Sequence, residues 1–424
     1  MNTRKDCIVD VVNDRNKSHF SRIDGHTLCE ILVRLPVKSL LKAKRVCKRW
    51  GSVIRDPYFV GLHCTRSKIA CPKLLIYIDR SIGRFLFSVD LLEGGVLLDQ
   101  MKLELSFEDD PVQILNPVNG LVCFIRFMGK VLIYNPSTGD KTSWIESRVW
   151  LEKKRRNRPF YGFGFDSKTK EHKVVCLWHS YDSRYETGAS DVCEVLTVGK
   201  NTWRQIHGLP PYKAYGESVY VNGVVYWLST YNHFDSSRSA DAKSIVAFDI
   251  GREKFRVILT PDFIADCRKS SFRMSNNSHD LLVIHGCVGL LDRRLIVDGD
   301  NKNVIKMWIF HDDHQEKSFT ASNWTEETIS IPLEWEQKLI RCYPKTCSEL
   351  LFQAITGTNL IIMMPEQYGQ RGGVFSLYCY DRKKKTLNFV EICTVRNGKG
   401  YLINEPVYRI YCGTFVESLY PVQQ

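Results

Sequence analysis

The sequence lacks the long apolar run that a membrane-spanning helix needs. No stretch approaches the ~18 consecutive apolar residues required to cross a bilayer. The first 20 residues mix charges throughout and contain no apolar segment typical of a secretory signal. Both features disfavour a membrane or secreted protein, and we expect the chain to be cytoplasmic, nuclear or both.

Paired cysteines are also missing. The 15 cysteines are odd in number, and no two have the C-x-x-C spacing of a zinc site or redox motif. Cys123, Cys176, Cys193 and Cys379 stand inside apolar, strand-like patterns, where a reduced thiol packs as a small hydrophobic residue. We therefore predict neither a disulfide framework nor a metal site.

Catalytic motifs are absent as well. The chain has no G-x-S-x-G elbow, no P-loop and no H-E-x-x-H helix. The G-x-G at Gly162 and Gly164 lies in an alternating strand pattern without a following helix, which disfavours a nucleotide loop. The charged run from His311 to His314 is interpreted as a solvated turn. No catalytic residue and no cofactor is predicted.

The chain is long enough for two domains, which differ in charge. Its 424 residues are 44% hydrophobic and 25% charged, which is a globular composition. Residues 1–66 hold 14 Lys and Arg against 6 Asp and Glu, so a net +8 of the whole chain's +12 lies there. A basic helical surface that binds nucleic acid is one interpretation. The positive residues interleave with apolar ones, however, which favours a basic rim around a contact with an acidic protein.

The N-terminal part has a helical period. Leu28, Ile31, Leu32 and Leu35 form one stripe with 3.6-residue spacing, which Pro36 ends. A second short helix follows around Leu40 and Leu41, and a third contains Trp50 and Ile54 and stops at Asp56-Pro57. Three such helices bury little surface by themselves, so we expect some of their apolar surface to pack against a partner.

Beyond Cys71 the period changes to two, which is typical of strands. A strand–turn–strand unit recurs six times, starting at Phe85, Val131, Cys193, Ile245, Met307 and Leu377. Other strand pairs precede most copies, and one contains Asn222-Gly223, a signal for a tight type I′ turn. Four strands per unit and about six units predict a β-propeller, with a large sandwich as the alternative. The segment from Pro406 is expected to complete the first blade.

Residues 23–59 resemble an F-box in three ordered pieces, EILVRLPVKSL, VCKRW and IRDPYF. The resemblance implies a three-helix module that binds a Skp-type adaptor. The implied adaptor-binding residues are Leu28, Ile31, Leu35, Pro36, Leu40 and Val46. The implied F-box core contains Leu32, Leu41, Trp50 and Ile54. The family usually opens with Leu-Pro and acidic residues, whereas this chain has Ile23-Asp24-Gly25-His26, with Thr27 where a leucine is common.

The remaining chain resembles the F-box-associated domain of plant F-box proteins. The matching segments are NPVNGLVCF, YNPSTG, YGFGFDSKTKEHKVV, VNGVVYWL and FVESL. This resemblance implies a kelch-like propeller that recruits substrates. We expect a flexible tail over residues 1–20, an F-box over 21–66 and a substrate-binding domain over 71–424.

Together these patterns predict a non-catalytic substrate-recognition subunit of an SCF-type ubiquitin ligase. It would link a Skp-type adaptor, and through it a cullin and a RING subunit, to a protein substrate. An adaptor-binding decoy and a glycan-binding or enzymatic propeller are the alternatives. The substrate-binding residues are unknown from sequence, although the loops near 180–190, 232–241 and 367–373 are expected contacts.

Overall fold

The computed structural model describes residues 23–70, 73–80, 83–90, 98–101, 112–126, 129–152, 157–180, 191–230, 243–260, 279–292, 304–312, 323–330, 350–365, 374–393 and 407–422. Four helices open the described part of the chain: α1 (Gly25–Leu32), α2 (Val37–Ala43), α3 (Lys48–Arg55) and α4 (Pro57–Ala70). A short helix, α5 (Arg148–Glu152), lies within the β domain. None of the described helices has the length and apolarity to span a bilayer.

Helix α4 is an addition to the three helices that the sequence pattern predicts. Asp56 caps it, because its Oδ1 accepts hydrogen bonds from the backbone N–H groups of Tyr58 at 2.8 Å and Phe59 at 3.2 Å. Pro57 occupies the first helical position, where its missing N–H costs nothing. Asp56-Pro57 therefore ends α3 as predicted and also starts a new helix.

The β domain consists of six four-stranded antiparallel sheets. In chain order, the strands are β1 Lys73–Arg80, β2 Gly83–Asp90, β3 Leu98–Met101, β4 Val112–Val118, β5 Leu121–Arg126, β6 Lys130–Tyr134, β7 Ile145–Glu146, β8 Asn157–Asp166, β9 Glu171–Ser180, β10 Val192–Thr197, β11 Trp203–Ile206, β12 Ala214–Val221, β13 Val224–Thr230, β14 Lys243–Asp249, β15 Lys254–Leu259, β16 His279–Ile284, β17 Cys287–Asp292, β18 Val304–Phe310, β19 Trp324–Ser330, β20 Leu350–Ala354, β21 Leu360–Pro365, β22 Val374–Asp381, β23 Thr386–Cys393 and β24 Val407–Phe415.

The six sheets form the blades of a propeller. The strands β24, β4, β8, β12, β16 and β20 each stand at one end of a sheet and contact one another around a closed ring, so they are the innermost strands. Blade 1 combines the innermost β24 with β1, β2 and β3. Blades 2 to 6 follow in chain order as β4–β7, β8–β11, β12–β15, β16–β19 and β20–β23. The prediction of a six-bladed propeller closed by the last strand is confirmed.

Most of the core lies between neighbouring blades. Between blades 3 and 4, Val175 and Leu177 of β9 pack with Trp227 of β13 and Phe248 of β14. Cys123, Cys176, Cys193 and Cys379 are buried and free, which confirms their prediction as core residues. Burial raises the pKa of the Cys379 thiol to about 11, so the group stays protonated at neutral pH.

Tight turns join several innermost strands to the next strand of the blade. Asn222 and Gly223 have φ values of 47° and 91° and connect the paired residues Val221 and Val224, which confirms the predicted two-residue turn. Asn119-Gly120 and His285-Gly286 have the same backbone signature in blades 2 and 5. A left-handed conformation at both positions explains the Asn-Gly and His-Gly pairs.

Alternating strand direction gives the propeller two different faces. The turns after the first and third strand of each blade lie on one face, which we call the helical face because it contacts α4 and the residues that follow β24. Cross-blade bonds link several of these turns, as from Asn222 Nδ2 to the Gly286 carbonyl at 3.0 Å. We call the opposite face the distal face. There the second strand of each blade ends, and the first and third strands begin.

A substitution at Gly162 of β8 can test the packing between blades 3 and 4. A Cβ at this position would lie 2.5 Å from both Trp227 and Val225 of blade 4. We expect Gly162→Ala to lower the free energy of unfolding by about 1–3 kcal/mol through overpacking. Gly208→Ala is the matched control, because nothing lies within 4 Å of its added Cβ. Urea denaturation of both variants checks this, and equal midpoints would contradict the packing.

Candidate partner-binding surfaces

Helix α1 has a side-chain cap, although its first residues differ from the usual F-box start. Asp24 caps α1, accepting hydrogen bonds from the Thr27 backbone N–H at 2.9 Å and from the Thr27 hydroxyl at 2.6 Å. These hydrogen bonds lower the pKa of the Asp24 carboxyl. The residues that depart from the usual F-box start thus supply a helix cap of their own.

The helices share a small core with part of the chain's end. Leu32 and Ile54, both predicted as core residues, are buried in it with Val33, Ala43 and Phe59. The other two predicted core residues, Trp50 and Leu41, are half-buried, and Trp50 packs against the cluster.

The predicted adaptor-binding residues separate into two groups. Ile31 is 47% exposed, Val46 is 64% exposed and Pro36 is exposed, while Leu35 is half-buried. Leu28 and Leu40 retain only 1% and 0% exposure, so they belong to the core and not to the surface. The reason is helical geometry: Leu28 and Leu32 are one turn apart on the inner face of α1, whereas Ile31 points outward.

Helix α4 belongs to both domains. Its residue Phe59 is buried in the core of α1–α3, while Val60 and Cys64 are buried in the core between blades 2 and 3. The His63 ring binds the Leu35 carbonyl through Nε2 at 3.0 Å. At the far end, Lys68 Nζ donates to Asn119 Oδ1 at 2.7 Å on the helical face. The predicted boundary at residues 66–71 therefore falls at the end of a shared helix.

The residues that follow β24 form a second connection, which we call the C-terminal strap (residues 416–422). The Asn135 side-chain amide donates to the carbonyls of Ser418 at 3.0 Å and Tyr420 at 2.9 Å. The Ser418 N–H donates to Ser137 Oγ at 3.0 Å. Asn135 and Ser137 belong to the YNPSTG segment, so this motif anchors the strap on blade 2.

Glu417 and Leu419 of the strap contact the helical module. Glu417 Oε2 accepts a hydrogen bond from the Val37 backbone N–H at 2.9 Å, and Glu417 Oε1 pairs with Lys73 Nζ at 3.2 Å. Leu419 packs against the core of the helices and against the core between blades 2 and 3. The FVESL segment thus connects the two domains at the start of α2.

The NPVNG segment contributes a link near the propeller axis. Asn116 Oδ1 accepts from the Tyr411 hydroxyl of β24 at 2.8 Å, and its Nδ2 donates to the Ser218 carbonyl of β12 at 3.3 Å. These bonds join the innermost strands of blades 1, 2 and 4. A Cβ on Gly120 would lie 2.4 Å from the strap at Ser418, so only glycine fits beneath it.

The segment YGFGFDSKTKEHKVV supplies a turn and a buried cation. Asp166 Oδ1 accepts from the Lys168 N–H at 2.9 Å and shapes the turn between β8 and β9. Lys173 is buried, and its Nζ lies 3.5 Å from Asp166 and 3.1 Å from Glu253 of blade 4. The ammonium group therefore ties two blades together, which gives this motif a structural role.

The charged run 311–314 and the exposed Lys385 also have structural partners. Of the candidate run 311–314, His311 lies 3.1 Å from the Thr325 hydroxyl, and Asp312 forms an ion pair with Arg256, while residues 313–314 lie outside the described residues. Lys385 Nζ lies 3.4 Å from Glu327 of the preceding blade. Within the part of the chain that the structure describes, no three His, Cys, Asp or Glu side chains cluster closely enough to hold a metal ion.

The expected substrate loops all follow the second strand of their blades. The predicted loops 180–190, 232–241 and 367–373 fall, apart from Ser180 at the end of β9, within the segments 181–190, 231–242 and 366–373. These segments follow β9, β13 and β21, whose last residues lie at the distal face. The segments themselves lie outside the described residues. Their flanking strand ends place all three attachment points away from the F-box helices.

Sequence patterns alone missed two features of this arrangement. The Asp56-Pro57 pair is a readable signal for the start of α4. No pattern links Glu417 to Val37, because 380 positions separate them and a lone glutamate has no distinctive spacing.

The chain thus combines a small helical module with a six-bladed propeller, and α4 and the C-terminal strap pack the module on one face of the propeller. The F-box associated beta propeller domain family matches residues 75–413, and the F-box domain family matches residues 20–60. The chain belongs to the F-box associated beta propeller family and, with its F-box, is an F-box protein of the plant type.

Arabidopsis thaliana relatives match almost the whole chain. F-box protein At5g65850 is 28% identical over 399 residues, which cover 92% of this chain and 89% of the relative. Putative F-box protein At3g10240 is 25% identical and covers 94% of this chain and 92% of its own length. F-box protein DOR is 26% identical, with 88% and 89% covered.

The buried His172 ring is expected to make the packing between blade 3 and the strap sensitive to acid. The ring lies 4.9 Å from the Tyr420 ring of the strap and 4.7 Å from Phe165. Burial lowers its pKa from 6.5 to about 3. Between these values only the unfolded chain takes up this proton, so we expect the contribution of His172 to the free energy of unfolding to fall by up to about 1.4 kcal/mol for each pH unit.

We expect His172→Gln to flatten this part of the stability curve between pH 4 and pH 6.5, as measured by urea unfolding across pH. His26→Gln is the matched control, because His26 is exposed. A wild-type slope retained in the His172 variant would contradict the assignment.

Proposed function

We propose that this protein is the substrate-recognition subunit of an SCF-type ubiquitin ligase and carries no catalytic residues of its own. The observation that carries the proposal is the arrangement of an F-box and a propeller held together by α4 and the strap. Such a subunit works by holding two partners at once, which raises the local concentration of ubiquitin donor near the substrate's lysines. The cytoplasm or nucleus is the proposed site of action.

The adaptor-binding surface is proposed to centre on Ile31, Pro36 and Val46, with Leu35 at its edge. Solvent-exposed aliphatic side chains on a small helical module favour burial in a partner's groove. Arg34, Arg45 and Lys48 are exposed nearby in the sequence. A partner with an apolar groove and an acidic rim, as proposed for the Skp-type adaptor, would complement both features.

The substrate surface is proposed to lie on the distal face. The helices and the strap occupy part of the helical face, whereas the attachment points of the segments 181–190, 231–242 and 366–373 lie on the other side. A kelch-like use of these loops, in which several blades contribute to one binding surface, is part of this proposal.

Two substitutions test the adaptor surface. We expect Ile31→Asp and Val46→Asp each to weaken binding of the Skp-type adaptor at least ~30-fold, because loss of a buried anchor costs about 2 kcal/mol or more. Titration calorimetry with purified adaptor gives the affinities. Ile69→Asp is the matched control, because Ile69 is 81% exposed on α4 beside the propeller.

The outcomes separate the possible functions. Unchanged affinity in both Asp variants would remove these residues from the interface. Adaptor binding without recruitment of a cullin would favour a decoy. No adaptor binding by the wild-type chain would leave the propeller as a binding module outside ubiquitin ligases.

A further inference from the structure

The C-terminal strap makes contacts that closure of the propeller does not require. Strand β24 already completes blade 1 by pairing with β1 up to Phe415. The seven residues that follow leave the sheet and cross the helical face. Val416 and Val422 are buried between blades 2 and 3, so the strap has a fixed seat on the propeller.

The strap then contacts the helical module at a point away from α4. Pro36 precedes the first turn of α2 and has no side-chain donor or acceptor with which to cap it. Glu417 provides a bond there from the other end of the chain, and its second oxygen pairs with Lys73 at the start of β1. One carboxylate therefore contacts α2 and blade 1 together.

Two separated attachments restrain a module more than one does. Helix α4 by itself would fix α1–α3 mainly along the line of its axis. A second contact at α2, supported by Leu419 on both cores, also opposes rotation about that line. Glu417 is half-buried at this junction, where solvent screening is weaker than at an open surface.

We propose that the C-terminal strap is a positioning element of the ligase, in which Glu417 holds the adaptor-binding helices in one orientation relative to the distal face. The expected effect on ubiquitin transfer rests on the proposed function, whereas the contact between the strap and α2 does not. A fixed orientation keeps the lysines of a bound substrate at a constant distance from the ubiquitin donor, and a loose one lowers their effective concentration.

Amide hydrogen exchange tests the contact between Glu417 and α2 in the chain alone, without any partner. In Glu417→Ala we expect amides of residues 37–43 to exchange about tenfold faster, which corresponds to the loss of one charge-assisted hydrogen bond. Glu417→Gln retains an oxygen that can accept from Val37 and should give an intermediate rate. Lys73→Met is the matched control, because it removes the ion pair and leaves the bond to α2.

The pattern of exchange decides the result. Faster exchange confined to α1–α3, with β1, β5 and β24 unchanged, supports the strap as a positioning element. Wild-type rates in α2 of Glu417→Ala would overturn the proposal. Equal acceleration in those strands would also overturn it, because Glu417 would then stabilise the whole propeller.

A second measurement tests the consequence in the assembled ligase. At saturating adaptor, the rate of ubiquitin transfer to lysines of this chain should fall several-fold in Glu417→Ala and recover partly in Glu417→Gln. Because the adaptor is saturating, a lower rate reports a changed orientation of the helices and not weaker adaptor binding. An unchanged rate would overturn the role of the strap in ubiquitin transfer. Failure of the wild-type chain to bind adaptor would instead contradict the proposed function, and the exchange result would still stand.

Discussion

The pairing of the last strand with the first is the constraint on which the rest of the structure depends. Strand β24 enters blade 1 as its innermost strand, so the ring of blades closes only when the end of the chain returns to β1. The same return delivers residues 416–422 to the helical face, where Asn135 holds their carbonyls. The strand that closes the propeller is therefore followed directly in the chain by the residues that attach the helices.

This arrangement explains why the family segments lie where they do. NPVNG links the innermost strands through Asn116, YNPSTG anchors the strap through Asn135, and FVESL bridges to α2 through Glu417. None of these residues needs a substrate to account for its presence. Under the proposed function, substrate recognition is then left to other parts of the propeller, where residues can vary without disturbing closure.

The sequence predicts the architecture better than the surfaces. Alternating strands, turn residues such as Asn222-Gly223 and six repeats of one hairpin follow from local chemistry, and the six-bladed ring confirms them. Leu28 and Leu40 show the limit: their apolar spacing resembles that of Ile31, and only the packed structure separates buried from exposed members of a helical stripe. Glu417 shows a second limit, because contacts between distant segments leave no local pattern.

Helix α4 illustrates the same point from the opposite direction. Its hydrophobic residues face two cores, Phe59 towards the F-box and Cys64 towards the blades, so they do not form the single stripe by which an amphipathic helix is recognised. The domains are consequently continuous through one helix, which connects the proposed adaptor surface to the propeller.

The measurement that tests this account most directly is a cryo-EM structure of the chain bound to a Skp-type adaptor and a cullin. We expect adaptor density against α1–α3, an unoccupied distal face, and the same orientation of helices and blades as in the chain alone. Adaptor density on the propeller, or helices detached from the strap in the assembled complex, would contradict it.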